Sequence, residues 1–301
     1  MTRQLIRTLL IVVAGCTGAV AQDRGTLEPK PLPPVNEKDP DTPAKELFGR
    51  RPTPAPLATR SIGYYTSGCI AGAVAMPING ETWQVMRPSR NRNWGHPNLV
   101  KFLERLAAKA PTVGWRGLLV GDMAQPRGGP MLTGHWSHQV GLDADLWLTP
   151  MPDRELTRQE REEMMATNVV ADDWNDVDPE VWSPAHINIL KAAAKDKEVE
   201  RVLVNPAIKK ALCRDVNGDR SWLHKVRPVS GHNYHFHVRI RCPSGDKDCK
   251  PQPPAPADEG CGEDLDWWFS KEARTPKTTA PRPPVKMSAL PAACRQVLMA
   301  P

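Results

Sequence analysis

Two stretches decide how this 301-residue chain is read: Gly134-His-Trp-Ser-His138-Gln-Val-Gly-Leu-Asp143-Ala-Asp145-Leu-Trp147 and Arg227-Pro-Val-Ser-Gly-His232-Asn-Tyr-His235-Phe-His237-Val-Arg239. Successive side chains of a strand point to opposite faces. A strand from His235 to Cys242 therefore sets Phe236, Val238 and Ile240 on one face and His235, His237, Arg239 and Arg241 on the other. A strand from Gly141 to Leu148 likewise sets Asp143 and Asp145 against Leu142, Ala144 and Leu146. One apolar and one polar face is the pattern of an antiparallel sheet covered by helices on one side. Carboxylates and imidazoles meet where the two polar faces meet.

Further strands are expected at Leu118 to Gly121 and Val199 to Val204. Between them, Leu99, Phe102, Leu103, Leu106, Ala107 and Ala110 recur at helical spacing behind Asn98 as N-cap. A second helix starts with Ser183 as cap and Pro184 at its first position, burying Ile187, Leu190 and Ala194, and a third begins at Asn205-Pro206. The fold class is α+β: a small antiparallel β-sheet with helices on one side and extensive proline-rich loops.

The prolines mark the boundaries. Of 32, nine fall in residues 22–60, eleven in 243–301 and twelve in the 182 residues between. Folded sequence is thus concentrated in a domain over 61–270, preceded by a proline-rich linker or arm over 22–60 and followed by a C-terminal wrap over 271–301. Charged residues at 25% match ordinary globular usage, which excludes wholesale disorder. The net charge of +6 is mildly basic, and no run of Lys and Arg interleaved with aromatics points to nucleic acid.

Residues 1–21 read as an export signal, with Arg3 and Arg7, the apolar Leu9 to Val13, and Ala19-Val20-Ala21 before a cleavage point. The alternative is a lipoprotein leader, Val13-Ala14-Gly15-Cys16, cut to leave a lipidated Cys16 as the sole membrane attachment. Either route leads out of the cytoplasm and leaves Cys69, Cys213, Cys242, Cys249, Cys261 and Cys294. An even number in an oxidising compartment favours disulfides; six cysteines allow about fifteen pairings, and Cys242 with Cys249 would close a small loop.

A catalytic zinc takes three protein ligands and keeps a position open for water. His138, Asp145 seven residues on, and His237 from the neighbouring strand can supply them. No Gly-x-Ser-x-Gly elbow, His-Glu-x-x-His helix or phosphate loop is present, and the lone Ser-x-x-Lys at Ser244 to Lys247 lacks its partner motifs. His96, His186 and His224 have no clustered partner and read as structural or surface residues. Trp136, beside the proposed ligand, is a candidate to line a cleft.

Both stretches, together with Arg201-Val-Leu-Val-Asn-Pro-Ala-Ile-Lys-Lys-Ala-Leu-Cys213, resemble the signatures of the penicillin-insensitive murein endopeptidases, periplasmic members of the LAS group of zinc peptidases with its hedgehog-like fold. The resemblance runs from about Arg60 to Phe269. It implies a zinc endopeptidase that hydrolyses D-alanyl to meso-diaminopimelyl cross-links of peptidoglycan through activated water, without a covalent intermediate. By the same resemblance His138, Asp145 and His237 match the zinc ligands, His235 the general base and His232 a further active-site histidine. His135, with an acid near Asp172, would correspond to a second metal position. The implied disulfides are Cys69–Cys294, Cys213–Cys261 and Cys242–Cys249. Two other readings stay open: a non-catalytic wall-binding module with structural zinc, and a carboxypeptidase trimming D-Ala.

Overall fold

A computed structural model describes residues 24–275 and 283–301; the expected leader and Cys16 lie outside them. Among the described residues the strands are β1 (Arg60–Tyr64), β2 (Ser67–Ala71), β3 (Val74–Ala75), β4 (Asn79–Gly80), β5 (Trp83–Val85), β6 (Trp94–Gly95), β7 (Leu118–Val120), β8 (Asp143–Trp147), β9 (Val199–Val204), β10 (Val226–Pro228) and β11 (His235–Ile240). The α-helices are α1 (Ala44–Phe48), α2 (Pro97–Lys109), α3 (Arg158–Glu163), α4 (Pro184–Ala194), α5 (Pro206–Asp215), α6 (Glu263–Trp267), α7 (Lys271–Arg274) and α8 (Ala293–Met299). The class is α+β.

Seven strands form the main sheet, in the order β10-β9-β11-β8-β7-β5-β4. The expected antiparallel pairing holds at its centre, where β11 lies between β8 and β9. It fails towards the edges: β10 runs parallel to β9, and β5 parallel to β7. The reason is connectivity. α5 carries the chain back between β9 and β10, and α2 lies between β5 and β7; a helix crossover returns a strand in the same direction, whereas a tight turn reverses it.

Phe236, Val238 and Ile240 join Ala144, Leu146, Val202 and Val204 in the largest core, with Leu99, Phe102 and Leu103 of α2, Ile189 and Leu190 of α4, and Ala207 and Ile208 of α5. Each such large side chain contributes about 1.5–3 kcal/mol by leaving water. The sequence led to helices on one side only, and the structure departs from that. The short α3 lies on the other, where Arg161 donates to the backbone carbonyl of Val85 and to Gln84 Oε1.

His96, not Asn98, caps α2: its Nδ1 accepts from the Asn98 backbone N–H at 3.1 Å, and Pro97 takes the first position. An imidazole nitrogen serves as well as a carboxamide oxygen for an orphan N–H at a helix start. α4 and α5 begin where the sequence places them, behind Ser183 and Asn205. Leu190 and Ala194 are fully buried, whereas Ile187 is only partly so.

A second, smaller core joins the two ends of the chain. Ala44, Leu47, Phe48 and Ala55 of the N-terminal arm pack with Ile62 and Cys69 of the β1–β2 hairpin and with Met287, Leu290, Val297 and Leu298. The Cys69–Cys294 disulfide lies inside it, and Cys213–Cys261 and Cys242–Cys249 are also formed. Arg127 ties the segments together, donating to the carbonyls of Thr53, Val297, Leu298, Ala300 and Pro301. The part of the arm from Ala44 to Ala55 is therefore packed onto the domain. No helix among the described residues is long and apolar enough to cross a membrane.

Candidate metal centre and cleft

Antiparallel register places His237 opposite Asp145 and Arg239 opposite Asp143, so the polar faces of β11 and β8 confront each other residue by residue. Phe236 anchors β11 from beneath with no exposure, which holds His235 and His237 on the polar side. His138 enters from the turn before β8 with φ of 67°, and His232 from the turn before β11 with φ of 54°. Left-handed backbone is uncommon outside glycine and concentrates where surrounding structure enforces it. Here it aims both imidazoles at the strand pair.

One carboxylate organises the cluster. Asp145 Oδ1 lies 3.1 Å from His237 Nδ1 and 3.4 Å from His138 Nε2; Asp145 Oδ2 lies 3.3 Å from His135 Nδ1 and 3.7 Å from His235 Nε2. A second row fixes these groups from behind. His237 Nε2 donates to Asp143 Oδ1 at 2.9 Å, and Arg239 Nε donates to the same oxygen at 2.6 Å. His135 Nε2 meets Asp122 Oδ2 at 3.0 Å, where Arg90 and Arg92 also converge.

Burial opposes every charge here, and neighbours decide the outcome. For Asp145 the penalty is overcome by His235, His138 and His135, and its carboxyl is held well below the ordinary range. Asp143 is likewise lowered, by Arg239 and His237, and Asp122 by His135 and Arg92. Burial disfavours a charged His237, but Asp143 and Asp145 outweigh it and raise it to about 9. Burial dominates at His235, pushing it down to about 3 and leaving a neutral imidazole at pH 7.

The donor set fits a divalent cation. Both ring nitrogens of His138, Oδ1 of Asp145 and Nδ1 of His235 are buried without a hydrogen-bond partner, an exceptional concentration because buried polar atoms are almost always paired. Ligand atoms from His135, His138 and Asp145 lie within 4.8 Å of one another. His237 competes with His135 for the third place. It faces the same orphaned oxygen as His138, with its far nitrogen occupied by Asp143; His135 faces the other oxygen and is engaged by Asp122. Two imidazoles and a carboxylate suit zinc among common biological cations.

A cleft of about 600 Å³ opens over this cluster, lined by Trp136, Trp147, His232, Asn233, Tyr234 and Arg90 among others. Trp136 is 64% exposed at its rim.

A family model described as penicillin-insensitive murein endopeptidase matches residues 61–299. The chain belongs to the penicillin-insensitive murein endopeptidase family. Curated relatives bearing that name include one from Haemophilus influenzae, 46% identical over 255 residues, covering 84% of this chain and 87% of the relative. Another, from Yersinia enterocolitica, is 42% identical over 245 residues (81% and 87%), and one from Escherichia coli is 43% identical over 248 (81% and 88%).

Within this member of the family, the sequence-derived residues His135, Asp145, His232, His235 and His237 line one cleft, and His138 lies fully buried against Asp145 and His237. Asp172 does not join. It is exposed on the loop between the bridged Val170 and Val177 and does not line the cleft. The acid beside His135 is Asp122, which the sequence reading missed because an acid after Leu118 to Gly121 looks like an ordinary strand end. Its signal was position: β7 borders β8, so a polar residue leaving β7 lands beside Asp145. Arg90 and Arg92 carried no local motif. His96, His186 and His224 lie outside the cleft lining and bond at helix starts and turns.

Proposed function

We propose that this protein is a zinc-dependent, periplasmic endopeptidase of the LAS type, acting on D-alanyl to meso-diaminopimelyl cross-links of peptidoglycan. The observation that carries the proposal is the convergence of His138 and His237 on Asp145 Oδ1, with orphaned buried atoms on His138 and Asp145, beside a neutral histidine in an open cleft. The three disulfides suit an oxidising compartment.

His138, Asp145 and His237 would hold the ion, which when bound supplies Lewis-acid polarisation of the scissile carbonyl and acidifies water. His235, neutral and facing the cluster, accepts the proton from the attacking water and returns it to the leaving amine. Its ring packs tilted between His232 and Tyr234 at centroid distances of 4.8 and 4.7 Å, which fixes the direction of proton transfer. His232, its Nδ1–H donated to the Ser230 carbonyl at 3.0 Å, keeps its other nitrogen as an acceptor in the cleft, placed to hold an N–H or O–H of the substrate or the attacking water. No side chain becomes acylated, so penicillin, which traps a nucleophilic serine, has no target.

The test is incubation of the exported chain with purified cross-linked muropeptide dimers, with and without a chelator. Monomers should form only in the metal-loaded sample; intact dimers in the presence of stoichiometric metal would exclude the enzyme in favour of a wall-binding module. Release of free D-Ala from uncross-linked stems instead would make it a carboxypeptidase.

A further inference from the structure

A second cavity of about 400 Å³ lies between the N-terminal arm and the loop after β5, lined by Arg50, Arg51, Ser89, Arg90, Asn91 and Gln125 among others. Arg90 also lines the cleft over the metal centre, so the two cavities meet at its side chain. None of the residues lining the smaller cavity is acidic. Arg50 and Arg51 precede the family-matched region, which begins at residue 61.

Neither arginine is fully used by the protein. Arg50 donates through Nη2 to Glu46 at 3.2 Å, and Arg51 through Nη2 to Glu37 at 2.6 Å. The Nε of each is buried without a partner. Partly exposed pairs of this kind are worth roughly 0–1 kcal/mol, so an incoming carboxylate can displace or share them. Guanidinium groups suit carboxylates because their paired N–H donors match both oxygens.

We infer that the groove of Arg50, Arg51 and Arg90 binds free carboxylates of the substrate's stem peptide while its scissile bond lies at the metal centre. This rests on the endopeptidase reading and extends it to a specificity subsite. A cross-linked peptide carries carboxylates on both sides of the bond, and Arg90, which also bonds Asp122, lines both the cleft and the groove. Arg50 and Arg51 of the arm then belong to the substrate site, next to Leu47 and Phe48 of the second core.

The experiment compares steady-state cleavage by wild type, Arg50→Gln/Arg51→Gln and Arg50→Lys/Arg51→Lys, with circular dichroism to verify folding. Substrates are a muropeptide dimer and the same dimer with its free carboxylates amidated. The glutamine variant should raise KM for the native dimer roughly tenfold with kcat within about twofold. It should also lose the wild type's preference for the native over the amidated dimer, and the lysine variant should restore part of both. Equal KM in wild type and the glutamine variant, with wild type active, overturns the groove and leaves the endopeptidase reading intact. Loss of binding to phosphatidylglycerol vesicles with unchanged KM also overturns it, assigning the arginines to a lipid surface. An inactive wild type overturns both.

Discussion

Asp143 Oδ1 accepts the Nε2–H of His237 at 2.9 Å, so the nitrogen of His237 that faces Asp145 Oδ1 is the one left for a metal ion. A carboxylate behind a ligating histidine fixes both tautomer and ring orientation, and its loss typically costs about 10–100-fold in metal affinity. Asp143→Ala should weaken zinc by that factor in competition with a chromogenic chelator. Affinity within about twofold of wild type would show that the Asp143–His237 bond is merely structural.

The competition between His135 and His237 for the third ligand position can be settled by metal content. His138→Ala, Asp145→Ala and His237→Ala should each lose bound zinc after gel filtration, measured by inductively coupled plasma mass spectrometry. His135→Ala should keep one equivalent of zinc, since His135 faces the other oxygen of Asp145 and is tied to Asp122. Zinc retained in His237→Ala but lost in His135→Ala would reverse the assignment.

His235 is expected to act on protons without holding the metal. His235→Gln should retain stoichiometric zinc while kcat on muropeptide dimers falls by roughly 10²–10⁴. A loss of zinc from this variant would move His235 from base to ligand.

The strand part of the site was legible in sequence because period-two alternation is exact: whatever packs around β8 and β11, Asp143 must share a side with Asp145 opposite Ala144, and His235 with His237 opposite Phe236. Antiparallel pairing of these strands then brings the two sets together. Asp122 escaped because its role depends on β7 lying beside β8, a fact of topology that no local pattern carries. The mixed character of the sheet escaped for a similar reason, as did the β1–β2 hairpin, whose Gly63 and Gly68 interrupt the alternation. Residues 22–60 could be read only as a linker or a surface arm, because proline content reports stiffness and says little about whether a stiff segment finds a partner; Phe48 and Leu47 pack in one cluster with Ile62 and Leu298.

That second core also depends on a covalent closure. Cys69 and Cys294 are 225 residues apart, and in the chain-entropy view cross-links closing long loops stabilise by about 3–5 kcal/mol. The double variant Cys69→Ser/Cys294→Ser should lower the urea unfolding free energy by that order. A loss below about 1 kcal/mol would mean that Arg127 and the packed apolar groups hold the C-terminal helix without help.

Acid should destabilise the fold through histidines outside the candidate metal cluster. Burial lowers His186, packed between Trp115 and Trp182 with Leu148 and Ser183 as polar partners, and it lowers His96 despite Asp246 at 3.7 Å. The sign follows from proton uptake. As pH falls below the unfolded value near 6.5, the unfolded chain gains protons that these folded imidazoles refuse, so stability is full above that pH and declines beneath it. The buried carboxylates Asp122 and Asp143, held below their ordinary range, act with the same direction only at much lower pH. Urea midpoints should therefore drop between pH 7.5 and 5.5, about one unit either side of 6.5, and drop less in His186→Gln, which cannot take up the proton in either state. Identical slopes in the two proteins would mean that His186 titrates alike folded and unfolded, and that its burial between the tryptophans costs its charged form nothing.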